Sequence, residues 1–154
     1  KLIEMNVEVI EGEDWIRVKG TPDIRRANIK TLPYPGFPTD LQPPICVVLC
    51  LADGTSTITE GVWESRFQYV DELKRMGASI RVEGRMAVIE GVKKLTGAPV
   101  EALDLRAGAA MVVAGLVAEG ETEVYNTYYI NRGYEKLEEK LEALGARIKR
   151  IKEH

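Results

Sequence analysis

The order of residues around Asp40 returns around Asp104, and few folds accommodate such a recurrence. Asp40-Leu41-Gln42 is matched by Asp104-Leu105-Arg106, and Ala52-Asp53-Gly54 by Ala118-Glu119-Gly120. Ser65-Arg66-Phe67 is matched by Asn131-Arg132-Gly133, and Met76-Gly77-Ala78-Ser79-Ile80 by Leu144-Gly145-Ala146-Arg147-Ile148. The separations are 64 residues from Asp40 to Asp104, 66 from Gly54 to Gly120, 66 from Arg66 to Arg132 and 68 from Gly77 to Gly145. Four landmarks in one order at near-constant spacing imply one supersecondary unit used at least twice. Each copy holds a buried helix, strands and an amphipathic helix, so the expected class is α/β.

Asp104 opens the second copy of the buried helix. Its carboxylate can accept from the free amides of the first turn, the ordinary role of an N-cap. Arg106 is out of place there, because a cation in the first turn opposes the positive end of the helix dipole and calls for an anionic partner. Two partners fit: a nearby carboxylate of the chain, or a bound anion held by the arginine and the free amides. Residues 107–118 have no polar face, so neighbours must surround them, and Gly108, Gly115 and the alanines let other helices approach closely. Residues 45–52 have the same character. Two such helices cover each other on one side only, and the helix of a third copy is not in this sequence. The chain is therefore expected to expose an apolar groove that calls for the rest of a polypeptide or for self-association.

Alternation over residues 6–19, with a turn at Gly12-Glu13-Asp14, reads as a hairpin. A second hairpin pairs residues 79–82 with 86–89 around Glu83-Gly84-Arg85. Between them, Leu32-Pro33-Tyr34-Pro35-Gly36-Phe37-Pro38-Thr39 is too rich in fixed φ angles for regular structure. A helix can start at Asp40, with Pro43 and Pro44 tolerated in its first turn and a stop at Asp53-Gly54. Residues 55–59 read as a strand. Residues 64–75 carry Phe67, Val70 and Leu73 at helical spacing, stopped by Gly77. The implied division is a hairpin ending an earlier copy at 1–20, one copy at 21–97 and the next at 98–154.

A chain of 154 residues with 45% hydrophobic content can bury one ordinary core. Its net charge of −3 argues against a general nucleic-acid surface, and it has no run of about 18 apolar residues to span a bilayer. The abrupt start at Lys1-Leu2-Ile3-Glu4-Met5 suggests that the chain is cut from something longer. Cys46 and Cys50 lie on one helix face as small core residues, with no histidine or second cysteine pair to suggest zinc. The single histidine, His154, is next to no motif, so neither a histidine-based triad nor a metal site is expected.

Taken together, residues 32–42, Arg66-Phe67, Asp104-Leu105-Arg106-Ala107-Gly108-Ala109-Ala110 and Arg132-Gly133-Tyr134-Glu135 resemble the UDP-N-acetylglucosamine enolpyruvyl transferase family, and within it the C-terminal part. The resemblance runs from about Gly12 to Arg150. It implies an inside-out α/β barrel domain built from βαβαββ repeats with buried helices and outer sheets. It also implies a cytoplasmic enzyme that transfers the enolpyruvyl group of phosphoenolpyruvate to the 3′-hydroxyl of UDP-N-acetylglucosamine, the first committed step of peptidoglycan synthesis. No cofactor is implied.

On that resemblance, Asp40 matches the aspartate that contacts the reacting sugar hydroxyl and takes its proton. Val62 matches a position that touches the sugar nucleotide through its backbone. Arg106 and Arg132 match arginines that hold the carboxylate of phosphoenolpyruvate, Asp104 matches an acid in the same site, and Arg66 sits in a matching motif as support. The chemistry asks for these types: a base raises the reactivity of a hydroxyl by roughly 10²–10⁴, and guanidinium forks fix the plane of a carboxylate. Without the resemblance, Asp40 reads as a plain N-cap. Arg132 then reads as a solvated charge at a helix start, paired by Glu135 or Glu138, and residues 135–142 as a solvated helix face laced by i, i+4 pairs. The proton-donor loop, the Lys-Asn pair and a further arginine of the family have no match here, so the chain is expected to supply one wall of a cleft and to be inactive alone. Two other readings stay open: the sister family of enolpyruvylshikimate-phosphate synthases, and a non-catalytic half-domain that binds a full-length paralogue.

Overall fold

The computed structural model describes residues 1–152; His154 and what was expected of it lie outside them. The Thr-Ser-Thr-Ile-Thr alternation becomes β4 (Thr55–Thr59), an inner strand of a four-stranded sheet ordered β3-β4-β6-β5. β3 (Asn28–Lys30) runs parallel to β4, with Ile29 opposite Ile58. β5 (Ser79–Glu83) and β6 (Met86–Glu90) form the expected hairpin, with Glu83 opposite Met86. Its two-residue turn places Gly84 at φ 59°, where a side chain would be strained. β6 is also antiparallel to β4, Ile58 facing Ala87. Alternate residues of these strands, Ser56, Ile58, Ala87 and Ile89, point inward and are buried.

Against that face lies α1 (Gln42–Cys50), preceded by a 3₁₀ turn (Thr39–Leu41) and carrying its prolines at the tolerated start. α1 packs on α3 (Leu105–Val117). Cys46, Leu49, Ile58, Leu73, Met76, Ile89 and Met111 are fully buried, and each large apolar side chain so buried contributes about 1.5–3 kcal/mol over exposure. Gly108 is required on α3, since a Cβ there would lie 2.7 Å from Ile130 Cγ1 and 2.8 Å from Ala102 Cβ. α2 (Val70–Arg75) crosses to the edge of the second unit, where buried Glu72 accepts from the amide of Glu101 at 2.9 Å. That unit continues with β7 (Pro99–Glu101) parallel to β8 (Glu123–Tyr125), then α4 (Tyr128–Asn131) and α5 (Leu137–Ala143).

The recurrence is visible bond by bond. Asp53 N donates to Ile24 O at 2.8 Å and Glu119 N to Leu95 O at 2.9 Å; Ala78 N donates to Leu73 O at 3.1 Å and Ala146 N to Leu141 O at 3.0 Å. Gly54 and Gly120 have φ of 98° and 89°, and Gly77 and Gly145 of 92° and 100°. The leading hairpin also forms, β1 (Glu8–Glu11) against β2 (Ile16–Lys19) with Glu8 opposite Lys19. Its Trp15, Ile16 and Val18 are exposed, as are Val113, Leu116 and Val117 on one side of α3. No helix among the described residues is long and apolar enough to cross a membrane.

Four expectations need correction. The helix at 64–75 forms only from Val70, and within 64–69 the carbonyl of Arg66 accepts from the Gln42 side chain instead of joining a helical ladder. Asp40 caps no helix: it sits inside the 3₁₀ turn, and α1 starts two residues later with no side-chain cap. Arg132 stands at the C-terminal end of α4, not at a helix start, where the helix dipole favours a cation. The charged helix at 135–142 starts only at Leu137, since Lys136 is left-handed at φ 47°. The pairs there are Lys136 with Glu139 at 3.3 Å, Lys140 with Glu135 at 3.9 Å and Arg150 with Glu138 at 2.6 Å, rather than an i, i+4 lattice.

Candidate functional site

α3 is opened by Asp104, whose extended backbone (φ −154°) lets its carboxylate accept from Arg106 N at 2.9 Å and Ala107 N at 2.8 Å. That cap fixes the first turn and with it the base of the Arg106 side chain. The guanidinium reaches Asp40 in the 3₁₀ turn before α1, Nε to Oδ1 at 2.5 Å and Nη2 to Oδ2 at 3.1 Å. This forked pairing offsets the unfavourable placement of a cation at a helix start. The hydrogen bond to Asp40 holds the Arg106 guanidinium above its ordinary pKa, with the charges of Asp40 and Asp104 adding to it against a small cost of burial. The side chains are 34% and 56% exposed, so the pair contributes at most about 1 kcal/mol to stability and leaves both groups open to solvent.

Beside the pair is a cavity of about 370 Å³ lined by Asp104, Leu105, Arg106, Tyr129 and Arg132, within the size range of small-molecule sites. Arg132 is delivered by the end of α4. Gly133 makes that approach feasible, since a Cβ there would meet Leu105 Cδ2 at 2.7 Å. Among the described residues Arg132 makes no ion pair: Glu138 is taken by Arg150 and Glu135 by Lys140. Two guanidinium groups therefore converge on one cavity, one of them shared with a carboxylate, an arrangement suited to a small carboxylate or phosphate ligand.

The other expected residues lie elsewhere. Val62 follows β4 and its amide donates to Glu60 Oε1 at 3.2 Å. Arg66 places its guanidinium 5.3 Å from the centre of the Trp63 ring, a cation–π contact, and is not among the cavity-lining residues. Cys46 and Cys50 are buried and free; a hydrogen bond from Cys50 and burial push the Cys46 thiol up, which leaves it unreactive.

Sequence reasoning missed Tyr129 and Glu60. Tyr129 carries no motif; its ring packs on Tyr128 with centroids 4.1 Å apart. Glu60 had a signal, since the alternation that buries Ser56 and Ile58 puts residue 60 on the same inward face.

A family model described as EPSP synthase (3-phosphoshikimate 1-carboxyvinyltransferase) matches residues 1–141. The chain is 63% identical over 153 residues to UDP-N-acetylglucosamine 1-carboxyvinyltransferase 3 of Caldanaerobacter subterraneus subsp. tengcongensis, covering 99% of this chain and 37% of that protein. It is 59% identical over 151 residues to UDP-N-acetylglucosamine 1-carboxyvinyltransferase of Clostridium botulinum, covering 98% and 36%. Among solved structures, the enolpyruvyl transferase NikO from Streptomyces tendae superposes with a TM-score of 0.88 at 32% identity, over 96% of this chain and 34% of that one. The architecture is accordingly that of an inside-out α/β barrel. The chain spans just over a third of the length of these curated relatives.

Proposed function

This chain belongs to the EPSP synthase (3-phosphoshikimate 1-carboxyvinyltransferase) family, and from that premise we propose that the protein containing it transfers the enolpyruvyl group of phosphoenolpyruvate to the 3′-hydroxyl of UDP-N-acetylglucosamine. The observation that carries the choice of acceptor is the high identity, across almost the whole chain, to relatives named for that sugar nucleotide. The product feeds peptidoglycan synthesis in the cytoplasm. Residues 21–97 and 98–154 act as two successive repeats and residues 1–20 as the end of an earlier one. The rest of the protein, or a second copy, covers the uncovered face of α3.

In this reading Arg106 and Arg132 grip the carboxylate of phosphoenolpyruvate and fix its plane. Asp104 sets the turn from which Arg106 projects. Asp40 receives the proton of the sugar hydroxyl as its oxygen bonds to C2 of phosphoenolpyruvate, while C3 takes a proton from a donor outside this chain. Loss of a C3 proton and cleavage of the C2–O bond then restore the double bond and release phosphate. The Val62 backbone touches the sugar nucleotide and Arg66 supports that loop. With the proton donor elsewhere, this chain forms one wall of the site and does not turn over alone.

Phosphate release by the full-length protein, followed with phosphoenolpyruvate and either UDP-N-acetylglucosamine or shikimate 3-phosphate, tests the reading. Turnover is expected with the sugar nucleotide only, and none from the isolated chain. Turnover with shikimate 3-phosphate alone overturns the acceptor, and turnover by the isolated chain overturns the one-wall assignment.

A further inference from the structure

Glu60 is fully buried, yet it has no cation beside it among the described residues. Its carboxylate is held by neutral donors instead. Oε1 accepts from Thr39 Oγ1 at 2.9 Å and from the amides of Val62 and Trp63 at 3.2 Å each, and Oε2 accepts from Gln42 Nε2 at 3.1 Å. Burial alone would raise its pKa, but hydrogen bonds from Thr31, Thr39, the Trp63 amide and Gln42 outweigh that and hold it below the usual carboxylate range. A buried carboxylate is expensive, and an apolar residue would fill the space at lower cost. What the carboxylate supplies is geometry. Glu60 is anchored to the sheet, its amide donating to Arg85 O at 2.8 Å. From there it grasps Thr39 and Gln42, which bracket Asp40 on both sides, and the first two residues after Gly61. Gln42 is braced in turn by the Tyr69 hydroxyl, which donates to its Oε1. One side chain thus ties the turn carrying Asp40 to the loop carrying Val62, whereas Arg106, which meets that turn through Asp40, and Arg132 project from α3 and from the end of α4.

We propose that Glu60 is a positioning residue for the acceptor: its carboxylate sets the separation between the Asp40 carboxylate and the Val62 backbone, and so the placement of the sugar hydroxyl against its base. The proposal rests on the function proposed above, with Asp40 and Val62 on the sugar nucleotide and the two arginines on phosphoenolpyruvate. Glu60→Gln turns a pure acceptor into a group that presents an NH₂ to the surrounding donors, so the clamp loosens. A displacement of about 1 Å at the reacting atoms is worth on the order of 10²-fold in rate.

The test is steady-state kinetics on the full-length protein as wild type, Glu60→Gln and Thr39→Val. Glu60→Gln is expected to raise KM for UDP-N-acetylglucosamine and to lower kcat by about 10–10²-fold, with KM for phosphoenolpyruvate within about twofold. Thr39→Val, which removes one donor and keeps the shape, is expected to show the same split at about 3–10-fold. Should Glu60→Gln fail to fold, Thr39→Val decides. Folded variants with unchanged kinetics, or with both KM values raised alike, overturn the proposal. An inactive wild type overturns the proposed function and this inference with it, whereas an active wild type without the split overturns this inference alone.

Discussion

Gln42 and Arg106 occupy corresponding places in the two repeated units, 64 residues apart, and behave in opposite ways. Gln42 is fully buried, its amide spent on Glu60 and Tyr69. Arg106 has no such enclosure. The place corresponding to Glu60, 66 residues on, holds Asn126 at φ 59°, and the guanidinium of Arg106 crosses instead to Asp40 in the first unit. The difference teaches that one backbone position can close into packed structure or open onto a cavity. Which occurs depends on whether its polar side chain finds buried partners within its own unit. In the first unit Gln42 and Glu60 satisfy one another; in the second Arg106 faces a cavity.

Making the second unit like the first is the most severe test of that contrast. Arg106→Gln in the full-length protein removes one guanidinium fork from the cavity while costing at most about 1 kcal/mol in folding, since only a half-exposed ion pair is lost. On the role proposed for Arg106, loss of its charge-assisted grip on a carboxylate is expected to lower kcat/KM for phosphoenolpyruvate by on the order of 10²–10³-fold. If activity stays within a few-fold of wild type, the second unit is not the open, chemical one.

The contrast extends to packing, with the next largest effect. Leu73 and Leu141, 68 residues apart, each accept the bond that closes a helix onto a left-handed glycine. Leu73 is fully buried, whereas α5, which carries Leu141, has no buried residue. Leu73→Ala should cost about 2–5 kcal/mol and Leu141→Ala under about 1 kcal/mol. Denaturant midpoints of the two variants check this; equal losses would show that something covers α5 that the described residues do not.

The repeat was legible because its landmarks are backbone punctuation: the Asp104 cap and glycines at positive φ are dictated locally, and Gly54, Gly77, Gly120 and Gly145 fall where the spacing put them. Arg106 could be singled out because a helix dipole makes a first-turn cation anomalous whatever surrounds it. Which anion answers it is a tertiary matter, and the sequence left a nearby carboxylate and a bound anion both open. Helical periodicity overran at residues 64–69 because Phe67, Val70 and Leu73 are spaced for a helix while the backbone before Val70 is engaged by side chains distant in sequence. Glu60 went unnoticed for a related reason. A charged residue after a strand reads as solvated, and only the inward parity of Ser56 and Ile58 argues otherwise.

The smallest effect separates how the units hold their polar groups under acid. Glu138 on α5 is held at a pKa of about 2, first by its hydrogen bonds from Arg150 at 2.6 and 2.9 Å, against some cost of burial. Its folded value is depressed, so the stability it contributes is fully present above the unfolded value near 4.5 and is lost as pH falls from there through about 2. Arg150 is partly solvated, which limits that contribution to about 1 kcal/mol or less. Arg150→Gln should therefore lower the unfolding free energy by up to about 1 kcal/mol at pH 7 and by nothing measurable at pH 2, while the Glu138 carboxyl titrates in the ordinary range by carbon NMR. A stability difference that persists unchanged at pH 2 would mean that Arg150 acts through packing, including its bond to Asn131 Oδ1 at 2.9 Å, and not through charge. In that event the second unit is held by shape like the first, and the contrast between them narrows to the cavity around Arg106.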